Sequence, residues 1–239
     1  MEKINLPQYL IPKNKTALFR FGSHNDGGYL LNKNDVLKSD TLISLGVHEN
    51  WDFEKEIYQN YNIKNTILFD PQTSYFLIFS YLLKSIVKFD IKKMTSYIKK
   101  FKELKNLKSK CIFFKKKFNK DLVLKYMTSQ NLLLKIDIEG DEYESLDFLL
   151  DYQDNINCLA IEFHDIDSNL EKINNFITKF KLNLIHTHIN TFSKKDEVAI
   201  ELTFSKHAEI LGEEWSQFAL DKIDAPNHPN HENIKIYNY

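Results

Sequence analysis

The sequence predicts a doubly wound, Rossmann-like α/β fold on a mostly parallel sheet, from three observations. Short apolar runs alternate with segments of helical periodicity along the chain, which is the pattern of strand–helix–strand units. The runs over 40–46, 66–70, 132–138 and 157–164 are nearly continuous in apolar residues, as strands covered on both faces must be. Each ends in a glycine, a carboxylate or a histidine, namely Gly46, Asp70, Asp137 and His164. In an open α/β sheet, ligands bind at the carboxyl ends of the strands.

Bulk properties narrow the class. The 239 residues suit one large domain over 1–239, and no linker, repeat or low-complexity block divides them. A net charge of -1 gives the whole molecule no strong pull on nucleic acid or membrane. Cys111 and Cys158 form no C-x-x-C pair, so neither a disulfide framework nor a structural zinc site is expected. That fits a reducing compartment, and a cytoplasmic location is expected. The first residues show no positive stretch followed by an apolar one, so no secretory leader is expected. The longest apolar run, 75–86, is interrupted by Lys84 and is too short to span a bilayer.

In chain order, the polar loop over 20–29 carries Gly27 and Gly28, a turn signal that reads as a hairpin or as a flap. A strand over 40–46, Gly46 and a helix over 51–61 form a first strand–turn–helix unit. Asp70 follows the next strand, 24 residues after Gly46, near the spacing at which an acid accepts hydrogen bonds from an adenosine ribose. A helical, Lys-rich insertion occupies about 72–109. Lysines crowd 84–125, which reads either as a surface for an anionic partner or as a solvated helix face. A strand over 111–115 and a helix over 121–128 lead to the central strand, 132–138. Asp137 and Glu139 end that strand before Gly140, and Asp137 reads either as a site residue or as a cap for a helix over 141–150. A strand over 157–164, a helix over 170–180 and a strand over 182–190 follow, the last with His186, His188 and Asn190 read as its polar end. Residues 197–204 alternate strictly, as an antiparallel or edge strand does. An extended Pro/Asn tail over 224–232 closes the chain.

Under that topology the strand-end residues share one rim. Gly46 and Asp70 would hold an adenosine-type cofactor. Asp137 and His164 would face the reacting end, with His164 as general base because imidazole titrates near neutral pH. His186 and His188 share a strand face. They read as metal ligands with Asp137 or Glu139, or, with Asn190, as hydrogen-bonding groups for a hydroxylated substrate.

At these residues the chain resembles the FkbM-type S-adenosylmethionine-dependent methyltransferases. Lys135-Ile-Asp-Ile-Glu-Gly-Asp-Glu142 is similar to that family's most recognisable motif, and Ile161-Glu-Phe-His164 resembles its next strand. The 20–29 loop, Leu45-Gly46 with Trp51-Asp-Phe-Glu54, and the Ala225-Pro-Asn-His-Pro tail resemble a bacterial branch that modifies surface polysaccharide. The likeness covers nearly the whole chain. It departs where a glycine-rich first loop is reduced to Gly46-Val-His-Glu-Asn50. The resemblance implies a seven-stranded sheet of the class I methyltransferase type, with an antiparallel last strand. It also implies S-adenosylmethionine as cofactor, S-adenosylhomocysteine as product, and O-methylation of a sugar hydroxyl. On this reading Gly28, Tyr29, Gly46, Glu49, Asp70 and Asp137 hold the cofactor, and Asp137 and His164 are catalytic. Glu139, His186, His188 and Asn190 meet a small carbohydrate acceptor, with a divalent metal as an option. Neither nucleic acid nor membrane is expected as a partner. A phosphorylated or phosphoramidate acceptor would give the lysines a use. Two rivals stand beside it. An NAD-type oxidoreductase lacks here the second and third glycines that admit a pyrophosphate. A nucleic-acid-binding protein would use the Lys84 to Lys125 surface.

Overall fold

The computed structural model describes residues 3–13, 16–191, 198–209, 224–226 and 235–236. The elements run β1 (Lys3–Ile4), β2 (Phe19–Gly22), β3 (Gly28–Leu31), α1 (Lys33–Lys38), β4 (Thr41–Leu45), α2 (Asp52–Asn60), β5 (Asn65–Phe69), α3 (Tyr75–Val87), α4 (Ile91–Lys110) and β6 (Ile112–Phe114). They continue with α5 (Lys120–Leu124), β7 (Leu132–Ile136), α6 (Leu146–Asp151), β8 (Ile156–Phe163), α7 (Ile166–Lys179), β9 (Asn183–Thr191), β10 (Val198–Ser205) and β11 (Lys235–Ile236).

Seven strands form one sheet in the order β6-β5-β4-β7-β8-β10-β9. β4 pairs in parallel with β5 and β7, and β7 with β8. β10 is antiparallel to β8 and β9. The expected seven-stranded sheet with its antiparallel last strand is therefore present. The chain leaves β4 in one direction and returns beside it as β7. This reversal of strand order is the point where doubly wound sheets open a crevice.

Side-chain alternation assigns the two faces. Leu134, Ile136, Leu159, Ile161 and Phe163 pack under Phe148 of α6 and Ile173 and Phe176 of α7. On the other face Leu42, Leu133, Cys158 and Ala160 are covered by Phe21, Tyr29 and Leu31 of the β2–β3 hairpin and by Phe53 and Ile57 of α2. A third cluster joins Val47, Trp51 and Leu68 to Ile78 of α3 and Leu104 and Leu107 of α4. It fixes the helical insertion directly behind the turn after β4. Residues 72–110 carry ten lysines against two acids, Asp90 and Glu103. The outward face of α3 is apolar instead, with Phe76, Phe79, Leu83 and Val87 all exposed. Among the described residues no helix is long and apolar enough to cross a membrane.

Some boundaries differ from expectation. The helix over 33–38 was not anticipated; Asn32 caps it by accepting from the Asn34 N–H at 2.9 Å. α7 begins at Ile166 rather than 170, after Asp165 in the left-handed region at φ 49°. The segment after Gly140 begins as a 3₁₀ turn over Glu142–Ser145 and becomes helical only at Leu146. Glu197 of the last strand and residues 227–232 of the tail lie outside the described residues.

Candidate active site

Where the strand order reverses, the carboxyl ends of β4, β5 and β7 open into a cleft of about 390 Å³. Gly46 makes its floor. The Gly46 N–H donates to the Phe69 carbonyl at 2.9 Å, and φ is +81°. A Cβ at Gly46 would lie 1.6 Å from the Asp137 carbonyl oxygen. Only glycine fits between two strand ends this close in that conformation.

Asp70 lines the cleft, but its carboxylate is already used. Oδ2 accepts from the Val47 and His48 N–H groups at 3.0 and 2.7 Å. Oδ1 accepts from Gln72 and Thr73 at 2.7 and 2.5 Å. Burial alone would raise its pKa, and these backbone donors outweigh it and hold the carboxyl below its ordinary range. A carboxylate has about four acceptor positions, and four amides fill them. Asp70 ties the turn after β4 to the turn after β5 and so shapes the cleft wall, and these amides share the oxygens that the expected ribose role would use.

Asp137 follows β7 and faces the cleft. Its Oδ2 accepts from the Tyr29 hydroxyl at 3.0 Å and lies 3.4 Å from Lys135 Nζ. The alternative reading as a helix cap is not what the structure shows. Neither helical segment after Gly140 has a side-chain cap; Glu142 instead ties the preceding turn, accepting from the Ile138 and Gly140 N–H groups at 3.2 and 3.0 Å. Burial, then the neighbouring Asp137 carboxylate, raise the Tyr29 hydroxyl well above 10, so it stays a donor. Lys135 is a charge in the middle of a buried strand. Burial opposes its proton, but Asp137 and Glu54 outweigh that and raise its pKa. Its ammonium also meets the Gly46 carbonyl, linking the cleft floor to the acidic wall. A buried lysine is rarely left unpaired, and that rule pointed to Lys135 and Glu54, which the reading of the sequence quoted without giving them a role.

The 23–28 loop arches over the cleft mouth, where Asp26 and Gly27 line it. Asn50 Nδ2 holds the loop from below, through the Asp26 carbonyl at 2.5 Å and Ser23 Oγ at 2.8 Å. Gly28, expected to touch cofactor, is not among the lining residues. Its N–H donates to the Asn25 carbonyl, and its own carbonyl accepts from Arg20 Nη1 at 2.8 Å. A Cβ there would meet the Ser23 carbonyl at 1.8 Å. Gly28 closes the hairpin, and Gly27 takes the cleft position. Glu49 is likewise outside the lining; its carbonyl accepts from Lys100 Nζ at 2.9 Å and faces α4.

His164 follows β8, next to Asp137. The structure brings donor atoms of Asp137, Glu139 and His164 within 4.8 Å of one another. His164 Nδ1 is 2.9 Å from Glu142 Oε1, and Nε2 is 3.5 Å from Glu139 Oε2. Burial disfavours the imidazolium. The hydrogen bond and charge of Glu142, then Glu162 and Asp137, outweigh it and push the pKa up to about 9. A base poised near neutrality was expected; the carboxylates around His164 make it hold its proton more tightly than that. Burial, then Asp137, raise Glu162 to about 8.

His186, His188 and Asn190 are all buried, and of the three Asn190 reaches the rim: it pairs with Ala199, one position beyond the Ile200–Phe163 pair that ends β8. β9 runs to Thr191, and all three point to the hairpin-covered face. His188 is paired with Glu201 of β10, which is paired with Glu162 of β8. Asp224 closes this buried row, 3.3 Å from His186 Nε2, 3.7 Å from His188 Nδ1 and 3.7 Å from Arg20 Nη2. Burial would raise the Asp224 pKa, and His188, His186 and Arg20 outweigh it and lower it. The metal role for His186 and His188 beside Asp137 or Glu139 is corrected: their facing acid is Asp224, which the sequence reading placed on a surface tail.

No protein-family model matches the chain, and no curated protein matches it. Solved structures do match at low identity. aTrm5 in its complex with tRNALeu is 14% identical with a TM-score of 0.43, covering 82% of this chain and 54% of that one. This chain thus spans about half the length of aTrm5. An rRNA methylase from Streptococcus thermophilus is 9% identical with a TM-score of 0.41, covering 72% of this chain and 92% of that one. TYW2 of M. jannaschii in complex with AdoMet is 10% identical with a TM-score of 0.40, covering 82% and 90%.

Proposed function

We propose that the protein is an S-adenosylmethionine-dependent O-methyltransferase acting on a hydroxyl of a sugar or sugar-linked precursor of a bacterial surface polysaccharide. The observation that carries this reading is the cleft at the strand reversal, where Gly46, the Asp70-tied turns and Asp137 converge under the Asp26–Tyr29 arch. The adenosine end would lie between the Asp70 turns and Phe118. The sulfonium would lie toward Asp137, whose carboxylate favours a positive charge beside it. The protein's task in methyl transfer is to place the acceptor oxygen in line, about 3 to 3.5 Å from the methyl carbon, since the cofactor already carries its leaving group. Asp137 would receive the hydroxyl proton as the oxygen–carbon bond forms and the carbon–sulfur bond breaks. His164 would hold the acceptor against Glu139. A phosphorylated or phosphoramidate acceptor gives the lysines of α4 a role. The whole chain as one methyltransferase domain in the cytoplasm belongs to the same reading. The NAD alternative has no glycine-rich pyrophosphate turn in its favour, since Gly46 stands alone between β4 and α2.

The test is a methyl-transfer assay by mass spectrometry over hydroxylated sugar phosphates. Product formation with Asp137→Asn reduced about 10²-fold or more in kcat supports the assignment. Full activity of Asp137→Asn rejects Asp137 as the proton acceptor.

A further inference from the structure

We infer that Asp137, Glu139, Glu162 and His164 form a binding site for one divalent cation of the Mn²⁺ or Mg²⁺ class. Among the described residues, the first, second and fourth are the group whose donor atoms lie within 4.8 Å of one another. Donors 2.0 to 2.2 Å from an ion lie up to about 4.4 Å apart, so a small adjustment closes the set. Glu139 can supply it, because its side chain is 76% exposed.

Glu162 is an independent observation. Its side chain is buried to within 5%, and Oε1 points at the group, 3.9 Å from His164 Nε2. That oxygen has no hydrogen-bond partner among the described residues. A buried carboxylate oxygen left in that way is costly unless a cation or a donor meets it. The surroundings fit a metal ligand set. Glu142 Oε1 sits 2.9 Å from His164 Nδ1, the carboxylate–imidazole arrangement that orients a ligating histidine through its other nitrogen. Tyr29 and Lys135 both engage Oδ2 of Asp137, which leaves the carboxylate a second oxygen. Three carboxylates and one imidazole suit an oxygen-preferring divalent ion better than a thiolate-seeking one. Lys135 faces the group and opposes a cation there, and Asp137 and Glu54 flank that lysine.

A cation there would bind the acceptor hydroxyl and make its proton easier to lose. That role rests on the proposed methyl transfer; the binding itself does not.

The experiment titrates metal-stripped, full-length protein with Mn²⁺ and follows free Mn²⁺ by electron paramagnetic resonance. One saturable site per chain is expected. Glu139→Gln should weaken it about tenfold or more, and this variant is safe to fold because the side chain is solvated. Glu162→Gln should weaken it as well. No saturable site, or a site indifferent to both substitutions, overturns the inference. S-adenosylhomocysteine is titrated into the same stripped protein. Its binding without a Mn²⁺ site removes the cation and leaves the methyltransferase reading. A Mn²⁺ site without S-adenosylhomocysteine binding does the reverse.

Discussion

At the scale of single residues, the site is decided by how many partners each carboxylate already has. Asp70 and Asp137 both end buried strands and line one cleft, yet they do different work. Asp70 spends its acceptors on four backbone amides; Asp137 meets one hydroxyl and one ammonium and faces the open side. A hydrogen bond to a charged group contributes roughly 1.5 to 3 kcal/mol. Asp70→Ala strips four amides of their acceptor, so it should lower unfolding free energy by at least about 2 kcal/mol, measured by urea denaturation. Cofactor affinity should fall along with it. An Asp70→Ala protein of unchanged stability would show that the two turns hold without it. Strand-end position was legible in the sequence, because an apolar run that stops at a carboxylate marks the rim. The partner count was not, since the amides of Val47, His48, Gln72 and Thr73 reach Asp70 only once two turns are folded side by side.

At the scale of elements, the last two strands show what periodicity conceals. Alternation told that His186 and His188 share a face, and they do. The strand read as 182–190 lies within one residue of the observed Asn183–Thr191; what alternation did not tell is that His186 and His188 stand inside it, under the hairpin. Their depth follows from pairing with β10, a long-range register no local pattern encodes. That register also buries Glu201 between Glu162 and His188. Burial, then Glu162 and Asp224, raise Glu201 well above its ordinary 4.5. The sign follows from proton binding. Above pH 4.5 the unfolded chain has lost this proton and the folded chain keeps it, so this group makes stability fall as pH rises toward the folded pKa. Glu201→Gln keeps the shape and removes the titration. Its melting temperature should exceed that of the parent at pH 7, and the gap should close as pH drops toward 4.5. A variant less stable than the parent at pH 7 would mean the carboxylate is held charged by Arg20 and the histidines.

At the scale of the whole molecule, one reversal of strand order gathers residues that lie more than a hundred positions apart. Tyr29 of the hairpin and Asp137 after β7 meet at 3.0 Å, and Asp224 near the end of the chain reaches Arg20 near its start. The sheet was legible because four buried strands read as apolar runs and the last alternates. The hairpin was legible at Gly27 and Gly28; its bond to Asp137 and the Asp224 row were not, because each depends on contacts between distant segments. The central claim is that the cleft under the Asp26–Tyr29 arch takes an adenosine-bearing sulfonium cofactor. Isothermal titration of the full-length protein with S-adenosylhomocysteine tests it most directly. Saturable binding of one molecule per chain is expected, weakened about tenfold or more by Tyr29→Phe through the lost bond to Asp137, with no binding of NADH. Heat indistinguishable from dilution with S-adenosylhomocysteine, or saturable binding of NADH in its place, would contradict it.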